Sequence, residues 1–261
     1  MTETQIRFDD GAAYERMMGA WSRLAGEQFL DWLKPPPGGR WIDVGCGNGA
    51  FTELLAERCK PSSIQGIDPS EGQLTFARSR HSAGVATFRQ GDAMALPFPD
   101  RSFDAAVMAL VLFFVPDPTK GVAEMMRVVR SGGLVSAYLW DFGTGGFPLE
   151  PLQAALRQEG ITPPLPPSVG ISKAEAMHEL WIRSRLQDVS LTRITVRRTF
   201  GSFDDFWSTS MLAASLQALL AKLTASELQK LKDKMRERLS PDEGGRVAYD
   251  AWANAIKGRV A

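Results

Sequence analysis

The run Trp41-Ile-Asp-Val-Gly-Cys-Gly-Asn-Gly49 carries the strongest chemical signal in the chain. Apolar residues lead straight into glycines at 45, 47 and 49. That pattern suits a strand turning sharply into a helix, with backbone bare enough for a ligand to approach closely. Asp43 stands two positions before the first glycine. A phosphate would be repelled there, whereas a cationic group, such as the amino end of a methionine moiety, would be drawn in. A second acid, Asp68, ends the next apolar segment, where a carboxylate can accept hydrogen bonds from both hydroxyls of a ribose. A third, Asp92 in Gly91-Asp-Ala93, follows another such segment. There an acid can accept the exocyclic amine of adenine while a neighbouring backbone amide meets a ring nitrogen. Each feature alone has a plainer reading: a tight turn for the glycines, a helix N-cap or surface acid for Asp68, a turn residue for Asp92. Three acids closing three successive segments point instead to one shared ligand edge.

The elements that would position them alternate regularly. Strand patterns at 40–44, 63–67, 86–90, 103–112 and 134–140 are separated by helical patterns at 50–58, 70–80 and 119–129. Alternation of this kind predicts an α/β fold, a doubly wound, mostly parallel sheet with right-handed crossovers. Ser70 with Gln73 forms a capping-box pattern at one helix start. Upstream, residues 12–33 read as one or two amphipathic helices, stopped by Pro35-Pro-Pro-Gly-Gly39. Downstream of Trp140 the alternation breaks into a stretch rich in glycine and proline, with a helix near 149–158. A capping box at Ser172-Lys-Ala-Glu175 opens another helix. A strand at 189–200 follows, then a helical stretch over 203–223, a helix capped by Thr224 and Glu227, and a last strand within 246–260 that pairs antiparallel with the strand at 189–200. One domain is expected: an N-terminal helical lid (1–34), a core (40–140), helical cap insertions (141–186 and 201–240) and C-terminal strands (187–200 and 246–260).

Composition narrows the function classes. Thirty basic residues balance thirty acidic ones, which removes the broad cationic footprint of a nucleic-acid binder. Cys46 and Cys59 lie far from His81 and His178 and form no CxxC pair, so no metal site is expected. The most apolar run, 105–115, is too short for a membrane helix, which needs about 20 residues, and reads as a buried strand. Residues 1–10 are polar and lack the apolar stretch of a signal peptide. A cytoplasmic protein with reduced thiols is the expectation.

Residues 40–140 resemble class I S-adenosylmethionine-dependent methyltransferases, in particular the type 11 branch that includes the ubiquinone and menaquinone C-methyltransferases. The matching pieces are Asp43-Val-Gly-Cys-Gly-Asn-Gly49, Gly66-Ile-Asp-Pro-Ser70, Gly91-Asp-Ala93, Leu96-Pro-Phe-Pro-Asp-Arg-Ser-Phe-Asp104 and Arg127-Val-Val-Arg-Ser-Gly-Gly-Leu134. The resemblance implies a Rossmann-like sheet of seven strands with the last antiparallel, and S-adenosyl-L-methionine as cofactor. It places Asp43, Gly45, Cys46, Gly47 and Asn48 at the methionine end, and Asp68 with Pro69 at the ribose. Gln73 falls near adenine or ribose, and Asp92, Ala93 and Met94 at adenine. The backbone around Ala109 and Leu110 lies beside the methionine part, with Tyr14 and Trp21 folding over the cofactor as a lid. Two departures stand out. Leu112-Phe-Phe114 replaces the histidine or other polar residue that many relatives carry there, and Ser131 replaces the usual proline before the paired glycines.

The function implied is transfer of a methyl group to a small-molecule acceptor, by in-line displacement in which the protein mainly positions the partners and excludes water. An apolar acceptor pocket is expected from Met17, Met18, Trp140, Phe142, Phe147, Trp207 and Met211. His178 is the candidate base for a hydroxyl acceptor, and Arg183 and Arg185 are candidates for an acidic substrate group. No nucleic acid and no membrane span are expected, in a monomer or homodimer. A nicotinamide oxidoreductase is disfavoured because none of the three tyrosines, at 14, 138 and 249, has a lysine four positions later. A nucleic-acid methyltransferase is disfavoured by Val115-Pro-Asp-Pro118, which stands where an Asn/Asp-Pro-Pro-aromatic motif would be. A non-catalytic or regulatory S-adenosylmethionine-binding protein of the same fold is the remaining alternative.

Overall fold

A central parallel strand is covered by helices on both faces and needs apolar residues at nearly every position. β1 (Arg40–Val44) meets that need by burying Trp41, Ile42, Asp43 and Val44. In the computed structural model, which describes residues 15–80 and 84–261, β1 lies inside a seven-stranded sheet. Its companions are β2 (Ser63–Asp68), β3 (Ala86–Gln90), β4 (Phe103–Ala109), β5 (Val129–Trp140), β6 (Gln187–Phe200) and β7 (Val247–Arg259). The order is β3-β2-β1-β4-β5-β7-β6. β1 to β5 run parallel, and β7 is antiparallel to both β5 and β6. The fold is the α/β class expected, with the last strand antiparallel.

Side chains alternate across the sheet, so Val107 joins the core on one face while Ala106 and Met108 join the other. On the first face, α1 (Ala20–Leu33) and α2 (Ala50–Cys59) pack Phe29 and Phe51 against Tyr138, at 4.6 and 5.7 Å between ring centres. Lys34, left-handed at φ 46°, ends α1 just ahead of the three prolines. The second face is covered by α4 (Pro118–Val128) and α6 (Ala174–Arg183), through Met125 and Trp181. Between them in the chain are α3 (Glu71–Arg78) and α5 (Glu150–Gln158). α7 (Phe203–Ser210), α8 (Ala214–Leu220) and α9 (Ala225–Arg238) follow β6. α9 is tied to the end of α5 by the Lys234–Glu159 ion pair.

Caps explain several boundaries. Asp117 accepts the Lys120 amide at 3.1 Å ahead of Pro118 at the start of α4. Thr224 and Glu227 form both halves of the capping box of α9. The box expected at Ser172 does not form. α6 begins at Ala174 with Lys173 as N-cap, and Ser172 is buried beneath it. Its carbonyl accepts from Asn254 Nδ2 at 2.9 Å, so burial against β7 overrides the local cap. The helical stretch over 203–223 is two helices, because Ser210 Oγ bonds back to the Phe206 carbonyl at 2.9 Å and the chain breaks at Met211 to Ala213. The strand expected to reach residue 112 stops at Ala109. Leu110 turns left-handed at φ 62°, and Leu112–Phe114 forms a single 3₁₀ turn. The apolar run continues past the strand because these side chains are buried in tertiary contacts, not because they pair in the sheet.

Candidate cofactor and acceptor site

The carboxyl ends of β1 and β4 meet where the chain connections diverge, which is where open α/β sheets bind ligands. Between β1 and α2 runs the glycine turn. The amides of Gly45 and Cys46 both donate to the Ile67 carbonyl, at 2.7 and 3.0 Å, holding the turn against the end of β2. Gly45 has φ 78°, and a Cβ placed there would sit 2.4 Å from Val111 Cγ1. Around Gly47, φ 53°, a Cβ would meet nothing nearer than Gln73 Oε1 at 4.0 Å, so the backbone there faces open space. Asn48 Oδ1 accepts from the Ala50 amide at 3.2 Å at the start of α2.

Asp43 lies wholly buried beneath this turn. Thr52 Oγ1 donates to its Oδ2 at 2.6 Å, and its Oδ1 has no hydrogen-bond partner among the described residues. Burial raises its pKa from 3.8 to about 7, against the lowering effect of the Thr52 hydrogen bond and with a further push from the Asp68 charge. Asp68, at the end of β2, accepts from the Gly47 amide through Oδ2 and from the Ser70 amide through Oδ1, each at 2.9 Å. Burial raises its pKa while those two amides lower it. The Cys46 thiol is held well above its usual range, chiefly by burial and then by the two nearby acids, so it is no nucleophile. Gln73 is buried on α3 beside Gly47. Pro69 is exposed next to it, and its carbonyl accepts from Gln90 Nε2 at 2.9 Å.

Asp92 is exposed at the end of β3, where Oδ1 accepts from the Met94 amide at 2.8 Å, shaping the turn that carries Ala93 and Met94. What fixes the next loop escaped the sequence reading. The Arg127 guanidinium donates to the Leu96 and Phe98 carbonyls at 2.9 and 2.8 Å and to Glu124 and Asp100. Two pieces of the sequence motif, 96–104 and 127–134, are thereby one structural unit. The only hint was that both belong to the set of pieces that carry the resemblance.

Beside the turn lies an apolar cavity of about 60 Å³. Met17, Met18, Trp140, Phe142 and Phe147 line it as expected, joined by Leu110, Phe113, Phe114, Leu149, Gln153, Pro164, Pro166 and Ser215. The departure at Leu112-Phe-Phe114 is thus explained, since two rings form wall where relatives carry a polar group. Leu110 belongs both to the ligand edge and to this cavity. Its amide donates to the Tyr138 carbonyl at 2.8 Å, and its successor Val111 abuts Gly45. A larger cavity of about 290 Å³ opens at the opposite edge, among Trp41, Asp104, Leu134 and Lys257. It lies at the amino ends of β1 and β4, across the length of the strands from the glycine turn, and carries none of this chemistry.

Six expected site residues lie elsewhere. Trp21 is 2% exposed, 4.9 Å from the Tyr249 ring and beneath the Arg198 guanidinium. It is a core residue, not a lid, because an aromatic ring facing a packed sheet buries itself there. Trp207 and Met211 are half-buried against the core around α7 and do not line the cavity. His178 is exposed on α6, outside the cavity wall, so it is not placed as a base. Arg183 pairs with Glu179 at the surface, and Arg185 follows the helix end at φ 60°. Tyr14 lies outside the described residues. Among the described residues no cluster of three or more His, Cys, Asp or Glu could hold a metal ion, and no helix is long and apolar enough to cross a membrane.

Residues 42–137 match the family model described as "Methyltransferase domain". This stretch is a methyltransferase domain. Its relatives include a fatty-acid O-methyltransferase of Mycolicibacterium smegmatis, 38% identical over 37% of this chain and 35% of that protein. A demethylmenaquinone methyltransferase of Desulfitobacterium hafniense is 40% identical over 40% of this chain and 43% of that protein. The chain thus spans less than half the length of these two relatives. The methyltransferase domain and the elements around it also share a fold with phosphoethanolamine N-methyltransferase 2 of Haemonchus contortus, solved with S-adenosyl-L-methionine. That likeness has a TM-score of 0.61 at 18% identity, over 99% of this chain and 59% of that one.

Proposed function

We propose that this protein is an S-adenosylmethionine-dependent methyltransferase whose small-molecule acceptor binds in the apolar cavity beside Leu110. The observation that carries the reading is the unpartnered Oδ1 of Asp43, buried under a glycine turn with open space above Gly47. A buried carboxylate oxygen without a donor is costly, and a cationic amino group is the partner that removes the cost. The donor set fits the cofactor: Asp43 for the amino end, Asp68 for the ribose hydroxyls, and the loop of Asp92, Ala93 and Met94 for the adenine. Gly45, Cys46, Gly47, Asn48, Pro69, Gln73, Ala109 and Leu110 would frame it.

When bound, the cofactor supplies a methyl group activated by its sulfonium charge. The chain's own contribution is position and exclusion of water. None of the described residues lining the cavity is titratable, so the walls orient an acceptor without supplying a base. The two curated relatives support the reading, since their names assign them methyl transfer to a fatty acid and to a demethylmenaquinone.

The test is titration calorimetry with S-adenosylmethionine and S-adenosylhomocysteine, comparing wild type with Asp68→Ala. Micromolar binding that the substitution weakens tenfold, about 1.4 kcal/mol, is expected. A folded wild type that binds neither compound would overturn the proposal.

A further inference from the structure

The apolar cavity is lined by no charged residue, and its walls include the rings of Phe113, Phe114, Trp140 and Phe142. Besides the half-buried Ser215, two polar groups interrupt that surface. The Trp140 indole N–H, at the carboxyl end of β5, is buried and has no hydrogen-bond partner among the described residues. Gln153, on α5 and 3% exposed, lines the same cavity and carries an amide that both donates and accepts. Buried polar groups are almost always paired, and each exception calls for a cause. Two other indoles of the molecule are paired. The Trp181 indole donates to the Val135 carbonyl, and the Trp252 indole to Thr144 Oγ1.

We infer that Trp140 and Gln153 together hold the oxygen of the methyl acceptor, and that the acceptor is an uncharged, ring-bearing molecule with a hydroxyl or carbonyl. This rests on the methyltransferase reading for the role of the cavity. An indole N–H only donates, whereas a glutamine amide both donates and accepts. A hydroxyl oxygen can accept from Trp140 Nε1 while its proton goes to Gln153 Oε1. A carbonyl oxygen can accept from both side chains. A carboxylate would bring a full charge among rings with no cationic side chain among the described lining residues to meet it. The cavity walls by themselves therefore select against free carboxylic acids, in contrast to the substrate named for the fatty-acid relative.

Three single-ring probes of matched shape separate these cases: 4-methylphenol, toluene and 4-methylbenzoate. The protein has seven tryptophans, and Trp140→Phe identifies the Trp140 signal among the ¹⁵N-labelled indole N–H resonances. The expectation is that 4-methylphenol moves that signal and binds at least tenfold more tightly than toluene, while 4-methylbenzoate does not bind. Gln153→Leu should lower 4-methylphenol to the affinity of toluene. Equal binding of toluene and 4-methylphenol in the wild type, which needs no variant to fold, would overturn the inference. So would tighter binding of 4-methylbenzoate, an unmoved Trp140 signal, no binding of any probe, or a folded Gln153→Leu that binds 4-methylphenol like wild type. S-adenosylhomocysteine titrated into the same sample reads the methyltransferase proposal separately. Its failure to bind would sink that proposal and leave the probe result standing.

Discussion

Thr52 Oγ1 lies 2.6 Å from Asp43 Oδ2, and that single hydroxyl, reaching back from the first turn of α2, is all that meets the buried carboxylate among the described residues. The apo protein therefore keeps a half-satisfied acid at its centre. Active sites commonly hold such groups at the expense of stability.

Asp43→Asn should stabilise the apo protein at pH 8 and weaken S-adenosylhomocysteine tenfold or more. The folded pKa is raised from 3.8 to about 7, so the folded state binds the proton more tightly than the unfolded chain. Stability is accordingly greatest below about 4 and is lost as pH rises through 7. At 1.36 kcal/mol per pKa unit, the penalty above pH 7 is at most about 4 kcal/mol. Denaturant unfolding at pH 8 and pH 4 checks this, and a gain of equal size at both would count against it.

Gly45→Ala should cost about 2–4 kcal/mol, combining the strain of a positive φ with overlap of Val111. The clash distance of 2.4 Å and the φ of 78° both come from this position. Adding Val111→Ala should recover only the overlap part. Full recovery in the double variant would mean that the backbone conformation is not strained.

Arg127→Lys should loosen the segment from Leu96 to Asp100, because an ammonium cannot span two carbonyls and two acids as the guanidinium does. Amide exchange at Leu96 should accelerate about tenfold, with a stability loss of about 1–2 kcal/mol. Unchanged exchange in that loop would show that the apolar packing of Leu96 holds it instead.

Trp21→Ala should reduce stability by about 3–5 kcal/mol, as expected for a large buried aromatic. A lid residue would behave oppositely, lowering cofactor affinity at unchanged stability. Unfolding and cofactor titration on one preparation distinguish the two.

The ligand edge was readable because its parts are local. The strand into Gly45, the acids after β2 and β3 and the caps at Ser70 and Thr224 each depend on residues a few positions apart. Places where the reading failed are those where distant packing won. The Ser172 box gave way to burial against Asn254, and Trp21 sank against Tyr249 instead of folding over a ligand.

The amino-acid sequence by itself determined the α/β alternation, the glycine turn and the identity of the acids at the strand ends, since periodicity and backbone chemistry are properties of short segments. Only the tertiary structure decided which side chains share a cavity. Leu110 and Phe113 follow β4, Trp140 ends β5 and Gln153 lies on α5, and no short spacing relates these three segments. Their meeting depends on the strand order and on how the helices after β5 and β6 close over the sheet, which is set by burial summed over the whole molecule.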